Sequence, residues 1–242
     1  MSIAHTADEA PANAGAPLVL ASHSPRRREL LSYLGIPFEA IATTGEEETT
    51  EVPDAVIVAL PPFPLATAQH PTLLAWRKIR AAAELGCRGV ILAADTIVVV
   101  EGTVLNKPVD AADARRMLRR LAGRTHTVYT GLALLHTDRA DSLALDLVRS
   151  DVSMCALDGA EIAAYVATGE PLDKAGAYGI QGLGGQLVQH VAGSYTNVVG
   201  LPLEHVYHAL RAQGLRPDVE PANAFRRWVA DQGRDTPPCT AL

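Results

Sequence analysis

An aspartate interrupts the most apolar run of this chain. Residues 90–100 read V-I-L-A-A-D-T-I-V-V-V, and Asp95 is the only charged residue among them. The β-branched and small neighbours predict a strand that is buried on both faces. A buried carboxylate without a partner is costly, so we expect either that a cation holds Asp95 or that chemistry uses it. The structural alternative is a strand-end aspartate that caps a loop or pairs with a surface arginine.

Three consecutive arginines follow the first apolar segment, in the run Ser24-Pro25-Arg26-Arg27-Arg28. Ser24 is suited to cap a helix and Pro25 to occupy its first position. The free N–H groups and positive dipole end of a helix N-terminus bind anions. Arginines are unfavourable at such an end unless an anion offsets them, and the guanidinium fork matches phosphate oxygens. The pattern favours a phosphate site over the alternative, a solvated basic face.

Lysines and a glycine-rich run supply further candidates. Lys107 and Lys174 lie in tight loops bounded by proline or glycine, whereas Lys78 lies within a predicted helix. The run G-A-Y-G-I-Q-G-L-G-G at 176–185 indicates close approach of the backbone or positive φ angles. Within it, Gln181 offers a donor and an acceptor to the edge of a base. The GxGxxG and GxxxxGK[ST] fingerprints are absent from this run.

An acidic stretch at 46–48 is either a solvated loop or the source of a second carboxylate for a hard cation. Mg²⁺ commonly takes one or two protein carboxylates together with substrate phosphates, which makes Glu47 a candidate ligand. His126 opens an apolar strand, and a hydrogen-bonded structural role is expected for it rather than the role of a base.

Periodicity predicts strands at 18–21, 90–100, 125–136 and 143–156. It predicts helices beginning at 25, 71, 110, 158 and 202, with an irregular segment at 52–70. The alternation favours an α/β protein with a mixed, twisted sheet and flanking helices. We expect a flexible leader at 1–16, a single domain at 17–214 and a peripheral tail at 215–242.

Composition excludes several classes of function. A net charge of −6 argues against a nucleic-acid partner. Three scattered cysteines without CxxC spacing argue against a disulfide framework or a structural zinc site. No long apolar run or signal-peptide pattern is present, so no membrane association and a cytoplasmic location are expected.

Six motifs stand in the order found in Maf proteins, and the chain resembles that family over residues 18–213. They are A-S-x-S-P-R-R-x-E-L-L (21–31), A-D-T-I-V (94–98), L-x-K-P (105–108), G-R-T-H-x-V-Y-T (123–130), E-P-L-D-K-A-G-A-Y-G-I-Q-G (170–182) and G-S-Y-x-x-V-V-G-L-P (193–202). The resemblance implies the family's α/β fold with a central cleft, similar to inosine triphosphate pyrophosphatases. Arg26, Thr96 and Gln181 match the branch that acts on dTTP and UTP.

The resemblance also implies roles for individual residues. Asp95 matches the catalytic acidic residue, and Arg26, Thr96 and Gln181 match positions that set substrate specificity. The residues that match phosphate-binding positions are Ser24, Arg26, Arg27, Lys78, Lys107 and Lys174. Glu47 and Asp95 match acidic positions near a divalent metal, Mg²⁺ or Mn²⁺; whether Asp95 binds the metal or accepts a water proton stays open.

The implied reaction is hydrolysis of a pyrimidine nucleoside triphosphate to the monophosphate and pyrophosphate by water attack at the α-phosphorus. A homodimer is a family-level expectation. The alternative function is a nucleotide-binding regulator of cell division, or septum formation, that binds without turnover.

Overall fold

The computed structural model describes residues 16–43, 51–139 and 141–233. The predicted leader up to residue 15, the candidate ligand Glu47 and the end of the predicted tail lie outside these ranges.

Within the described residues, seven strands form one sheet. They are β1 (Leu18–Ala21), β2 (Glu39–Ile41), β3 (Val90–Val100), β4 (Thr103–Leu105), β5 (Thr125–His136), β6 (Ala144–Met154) and β7 (Val188–Ala192). The order is β2-β1-β3-β5-β6-β7, with β4 paired to β3. The pairs β1–β2 and β1–β3 are parallel, and the others are antiparallel. This mixed sheet confirms the predicted fold class.

Helices cover both faces of the sheet. They are α1 (Pro25–Ser32), α2 (Asp54–Ala59), α3 (Pro71–Glu84), α4 (Ala111–Leu121), α5 (Gly159–Ala167), α6 (Tyr195–Val199), α7 (Leu203–Ala212) and α8 (Pro221–Asp231). One core cluster joins α2 and α3 to one face, and a larger cluster joins α1, α4, α5, α7 and α8 to the other. Alternate residues of β3 enter the two clusters: Ile91 packs with α3, and Leu92 packs on the opposite side.

Local signals determine several element ends, and Ser24 and Pro25 act as predicted. The Ser24 side chain accepts a hydrogen bond from Arg27 N, and Pro25 occupies the first turn of α1. Asp158 and Glu161 form a reciprocal capping box at the start of α5. Glu101 and Gly102 turn β3 into β4 with φ angles of 49° and 72°. These ends position the long strands and the helices that follow them.

Other elements were not predicted. The segment 52–70 contains α2 and a 3₁₀ turn at Thr67–Gln69, so it is only partly irregular. Val56 of α2 is buried against the α3 face, which explains why a short helix forms there. Strand β7 and helix α6 also lie where no element was expected.

Helix α8 occupies a stretch in which sequence periodicity predicted no regular element. Trp228 is 2% exposed, and its indole Nε1 donates to Glu29 Oε1 of α1 at 3.0 Å. Tyr33, which follows α1, donates its hydroxyl to Asp231 at 2.7 Å. Helix α8 therefore packs against α1, the helix that begins with the arginines.

Across the described ranges, no helix has both the length and the apolar character needed to cross a membrane.

Candidate active site

The site begins at a gap along one edge of β3. The pairing of β1 with β3 ends at Leu92, and the pairing of β4 with β3 begins at Val98. Asp95 and Thr96 lie in the gap between these two ladders. The chain leaves β1 beside this gap and turns directly into α1, which brings the arginine-bearing helix terminus to Asp95 and Thr96.

The cation that holds Asp95 is Lys78. Lys78 Nζ lies 2.8 Å from Asp95 Oδ1, and the two side chains are 14% and 20% exposed. The same ammonium group lies 3.4 Å from the carbonyl oxygen of Ala94. The charged partner explains how an aspartate is tolerated in this apolar strand.

Helix α3 delivers Lys78 to the strand because it packs unusually close to the sheet. A Cβ atom added at Gly131, the residue opposite Asp95 on β5, would overlap the backbone of Thr72 at the start of α3. The His70 ring caps α3 by accepting from Thr72 N at 3.2 Å. Glycine at position 131 thus sets the depth at which α3 and Lys78 sit.

Arg27 points from the first turn of α1 to the same gap. Its Nε donates to the Gly200 carbonyl at 2.9 Å, and its Nη2 donates to Thr96 Oγ1 at 3.0 Å. A Cβ atom at Gly200 would come within 3.4 Å of Thr96 Oγ1. Hydrogen bonds to the Gly200 carbonyl and to Thr96 Oγ1 therefore hold the guanidinium group in place.

Arg26 and Lys174 share one carboxylate, that of Asp173. Arg26 Nη1 lies 3.1 Å from Asp173 Oδ2, and Lys174 Nζ lies 2.6 Å from Asp173 Oδ1. Partial burial raises the pKa of the Asp173 carboxyl, but the hydrogen bonds from Lys174 and Arg26 outweigh this and leave the pKa below its ordinary value. Two candidate phosphate-binding groups are thus paired with an anion of the protein itself.

These groups line one cleft of about 380 Å³. Its volume falls in the range of small-molecule sites, about 300–1,000 Å³. Five lysine and arginine side chains and two aspartates contribute to the lining. The cleft therefore carries a local positive excess on a chain whose net charge is −6, which suits a polyanionic ligand.

An apolar wall and the glycine-rich run form the other side of the cleft. Tyr178, Ile180 and Gln181 line it together with valines of β3 and β5. The Glu170 carboxylate anchors the run by accepting from Leu183 N at 2.8 Å and from Gly184 N at 3.0 Å. This wall provides a surface on which a flat base can lie beside a polar amide.

His126 supports the wall from beneath and does not enter the cleft. It is 2% exposed, and its Nε2 lies 2.8 Å from the Tyr178 hydroxyl. Burial lowers the pKa of His126 to about 4, so the ring is neutral at physiological pH. The structural role expected for this histidine is confirmed.

The structure brings together all but one of the predicted site residues. Those that line the cleft are Ser24, Arg26, Arg27, Lys78, Asp95, Thr96, Lys107, Lys174 and Gln181. Glu47 lies outside the described residues, so its metal role stays a prediction. Lys107 reaches the site because the Asn106 carbonyl accepts from Gly176 N at 3.2 Å, which joins the two lysine loops.

Sequence reasoning missed Asp173 and Gly200. Asp173 adjoins Lys174 in a matched motif, but its pairing with Arg26 depends on the meeting of segments 147 residues apart. Gly200 lies within the last matched motif, and its φ of 121° agrees with a backbone conformation that favours glycine. The motifs contained both residues, although periodicity alone did not distinguish them.

Comparison with known proteins agrees with this arrangement. The family model described as Maf-like protein matches residues 17–213. A dTTP/UTP pyrophosphatase from Moorella thermoacetica is 48% identical over 198 residues, covering 82% of this chain and 95% of that protein. A dTTP/UTP pyrophosphatase from Escherichia coli O157:H7 is 48% identical over 196 residues, covering 80% of this chain and 91% of that protein.

Among solved structures, a nucleoside-triphosphatase, dITP/XTP pyrophosphatase, from Mycobacterium abscessus aligns with a TM-score of 0.36 and 16% identity. The alignment covers 82% of this chain and 97% of that one. The family-model match over residues 17–213 and the two relatives at 48% identity show that the chain belongs to the family of Maf-like proteins.

Proposed function

We propose that this protein is a nucleoside triphosphate pyrophosphatase that hydrolyses dTTP and UTP to the monophosphate and pyrophosphate. The single observation that carries the proposal is the Asp95–Lys78 pair at the floor of a cleft lined by Arg26, Arg27 and two loop lysines. A carboxylate held among cations suits hydrolysis of a phosphate chain better than binding alone. Two relatives that are 48% identical over 80–82% of this chain are named for the same activity.

The cationic groups act on the triphosphate. Hydrolysis spreads negative charge over phosphoryl oxygens in the transition state, so positioning and electrostatic stabilisation supply most of the catalysis. Arg27 is held by the protein at the gap in β3, and Arg26, Lys107 and Lys174 lie around it. These four groups cradle the phosphates, while Asp95 lies where water attacks the α-phosphorus.

Judged from the described residues alone, a divalent cation fits this site in company with the nucleotide. Among the described residues, no group of three or more His, Cys, Asp or Glu side chains is arranged to hold an ion. Asp95 is a suitable anchor, and Mg²⁺ commonly completes its shell with substrate phosphates and water. Asp95, with Glu47 as a second candidate, would hold Mg²⁺ or Mn²⁺. When bound, such an ion neutralises phosphate charge and lowers the pKa of a bound water.

The base specificity is assigned to Gln181, Arg26 and Thr96 by their match to the dTTP/UTP branch. Gln181 lies in the wall opposite the phosphates and can both donate to and accept from a pyrimidine edge. Discrimination against a single methyl group is worth only about 1–3 kcal/mol, so uracil and thymine nucleotides should both be accepted.

We assign the protein to the cytoplasm and expect a homodimer, which light scattering in solution would check.

The deciding experiment measures products from UTP, dTTP, CTP and GTP with Mg²⁺ or Mn²⁺ in water enriched in heavy oxygen. The expected products are pyrophosphate and a monophosphate that carries the label, because water attacks the α-phosphorus. Label in pyrophosphate, or release of orthophosphate, would contradict the proposed reaction. Tight binding of UTP without any product would favour the nucleotide-binding regulator instead.

A further inference from the structure

Thr130 of β5 lies beneath the site and has no part in the roles assigned so far. It is directly opposite Thr96 in the β3–β5 ladder, and the two hydroxyl oxygens are 2.9 Å apart. Thr130 is 0% exposed, so it cannot touch a ligand. Its Oγ1 also lies 3.1 Å from the main-chain carbonyl oxygen of Asn197.

The direction of these hydrogen bonds is determined by chemistry. A carbonyl oxygen only accepts, so Thr130 donates its single hydroxyl proton to Asn197. Thr130 can then only accept at its contact with Thr96, and Thr96 must donate its own proton to Thr130. Thr96 Oγ1 in turn accepts from Arg27 Nη2 at 3.0 Å. The chain therefore runs from Arg27 through Thr96 and Thr130 to the Asn197 carbonyl.

The far end of this chain is firmly anchored. Asn197 is 0% exposed, and its side-chain Nδ2 donates to the Val128 carbonyl at 3.2 Å and to Ser150 Oγ at 2.9 Å. Ser150 Oγ donates to the Ser194 carbonyl at 3.0 Å. A guanidinium at the surface of the cleft is thus connected to a fully buried polar cluster between β5, β6 and α6.

We propose that Thr130 is a positioning residue for the reaction, and that it acts through Thr96 to hold the Arg27 guanidinium against the triphosphate. This inference rests on the proposed function, because it assigns Arg27 to the phosphates. It also changes the role of Thr96, whose proton is committed to Thr130 and cannot be donated to a base. Thr96 influences the substrate by orienting Arg27.

The test compares Thr130→Val, which keeps the shape of the side chain without its hydroxyl, with Thr130→Ser, which keeps the hydroxyl. Thr127→Val is the matched control, since Thr127 lies on the same strand and bonds Asp151 at 2.7 Å outside the cleft. Three quantities are measured: kcat and KM with UTP, the dissociation constant of pyrophosphate by calorimetry, and the side-chain Nε–H signal of Arg27 by NMR. The Arg27 signal is identified by its loss in Arg27→Lys.

Thr130→Val should raise the KM for UTP and the dissociation constant of pyrophosphate about fivefold, the value of one neutral hydrogen bond. It should also shift or broaden the Arg27 signal. Thr130→Ser should restore all three quantities, and Thr127→Val should leave them unchanged. In a Thr96→Val background, Thr130→Val should have no further effect, because the link is already broken.

Equal effects of Thr130→Val and Thr127→Val, or independent effects of Thr130→Val and Thr96→Val, would overturn the inference. If Thr130→Val is too unstable for these measurements, Thr130→Cys, whose thiol is a much weaker hydrogen-bond partner, takes its place with the same expected directions. A wild-type protein that releases no pyrophosphate from UTP would refute the proposed function, whereas pyrophosphate affinity and the Arg27 signal would still decide the role of Thr130.

Discussion

Asp95 and Lys78 depend on each other, since each is the partner that makes the other tolerable in a largely water-excluded position. Asp95→Asn removes the carboxylate with almost no change of shape. We expect the protein to remain folded and kcat/KM for UTP and dTTP to fall roughly 100-fold or more, as for loss of a group that acts on the attacking water. Pyrophosphate release measures the loss. Glu84→Gln, which removes a charge from the exposed Arg80–Glu84 pair, is the control.

More than about a tenth of wild-type activity in Asp95→Asn would contradict its assigned role, because acid–base groups contribute at least about 100-fold. Titration of Mn²⁺ into the nucleotide complex separates the two roles of Asp95. Weakened Mn²⁺ affinity in Asp95→Asn identifies a metal ligand, and unchanged affinity identifies a proton acceptor.

The Asp173 carboxylate is paired with Arg26 and Lys174, two cations that are candidates to bind a phosphate. Because Arg26 and Lys174 both direct donors to Asp173, the carboxylate competes with an anionic ligand for their charge. Asp173→Asn should therefore bind pyrophosphate up to about fivefold more tightly, the upper range for a pair whose acidic member is exposed. Calorimetry with pyrophosphate provides the measurement, and Glu84→Gln again controls for net charge. Weaker binding would show that Asp173 orients the cations for the ligand.

At the residue scale, the sequence identified the candidate groups but not their partners. Asp95 is conspicuous because it is a lone charge in an apolar run, and the arginines because they start a helix. The partner of Asp95 lies on a helix that was placed correctly along the chain, yet nothing in Lys78 itself indicates that it faces the strand. Such pairings depend on how deeply α3 packs, which periodicity does not encode.

At the scale of elements, the depth of α3 depends on Gly131. A methyl group there would overlap the Thr72 backbone, so Gly131→Ala must push the start of α3 away from β5. Overpacking of this kind typically costs about 1–3 kcal/mol. We expect a lower Tm and a clear loss of activity, because Lys78 moves with α3. Gly159→Ala at the start of α5 meets no atom within 4 Å and should leave both properties nearly unchanged.

The elements that sequence reasoning missed have different physical causes. Helix α6 is only five residues long, too short for a periodic signal. Helix α8 did carry a signal: Ala224, Phe225, Trp228 and Val229 recur at the spacing of one helical face, and Pro221 suits the first turn. The surrounding prolines obscured this pattern, whereas the long strands and capped helices were predicted closely.

At the scale of the whole molecule, His126 links stability to pH. Its pKa lies near 6.5 when the chain is unfolded and at about 4 in the folded protein, because burial disfavours the charged ring. The unfolded state therefore binds more protons between these values, and stability rises with pH across that window. Acidification from pH 7 to 4.5 should lower the free energy of unfolding by on the order of 3 kcal/mol from this group. Urea titrations at several pH values should show a shallower slope for His126→Asn, and no such change for the exposed His190→Gln.

Trp228 links α8, near the C-terminal end of the described residues, to α1 near their N-terminal end. Trp228→Ala removes a buried indole and its hydrogen bond to Glu29, and it should cost about 3–5 kcal/mol of stability. Thermal unfolding measures the cost, with the exposed Arg227→Ala as the matched control. An unchanged Tm would show that α8 docks only loosely on α1.

The docking of α8 on α1 has a consequence for heating. Helix α1 has eight residues and depends on tertiary packing, part of which α8 supplies at Glu29 and Tyr33, so release of α8 would loosen α1 while the sheet stayed intact. Amide hydrogens of α1 and α8 should then exchange as one cooperative unit, earlier than those of β3 and β5. Activity would disappear at a lower temperature than the fold. The family match ends at residue 213, so a helix outside the matched region would set the working temperature of the site.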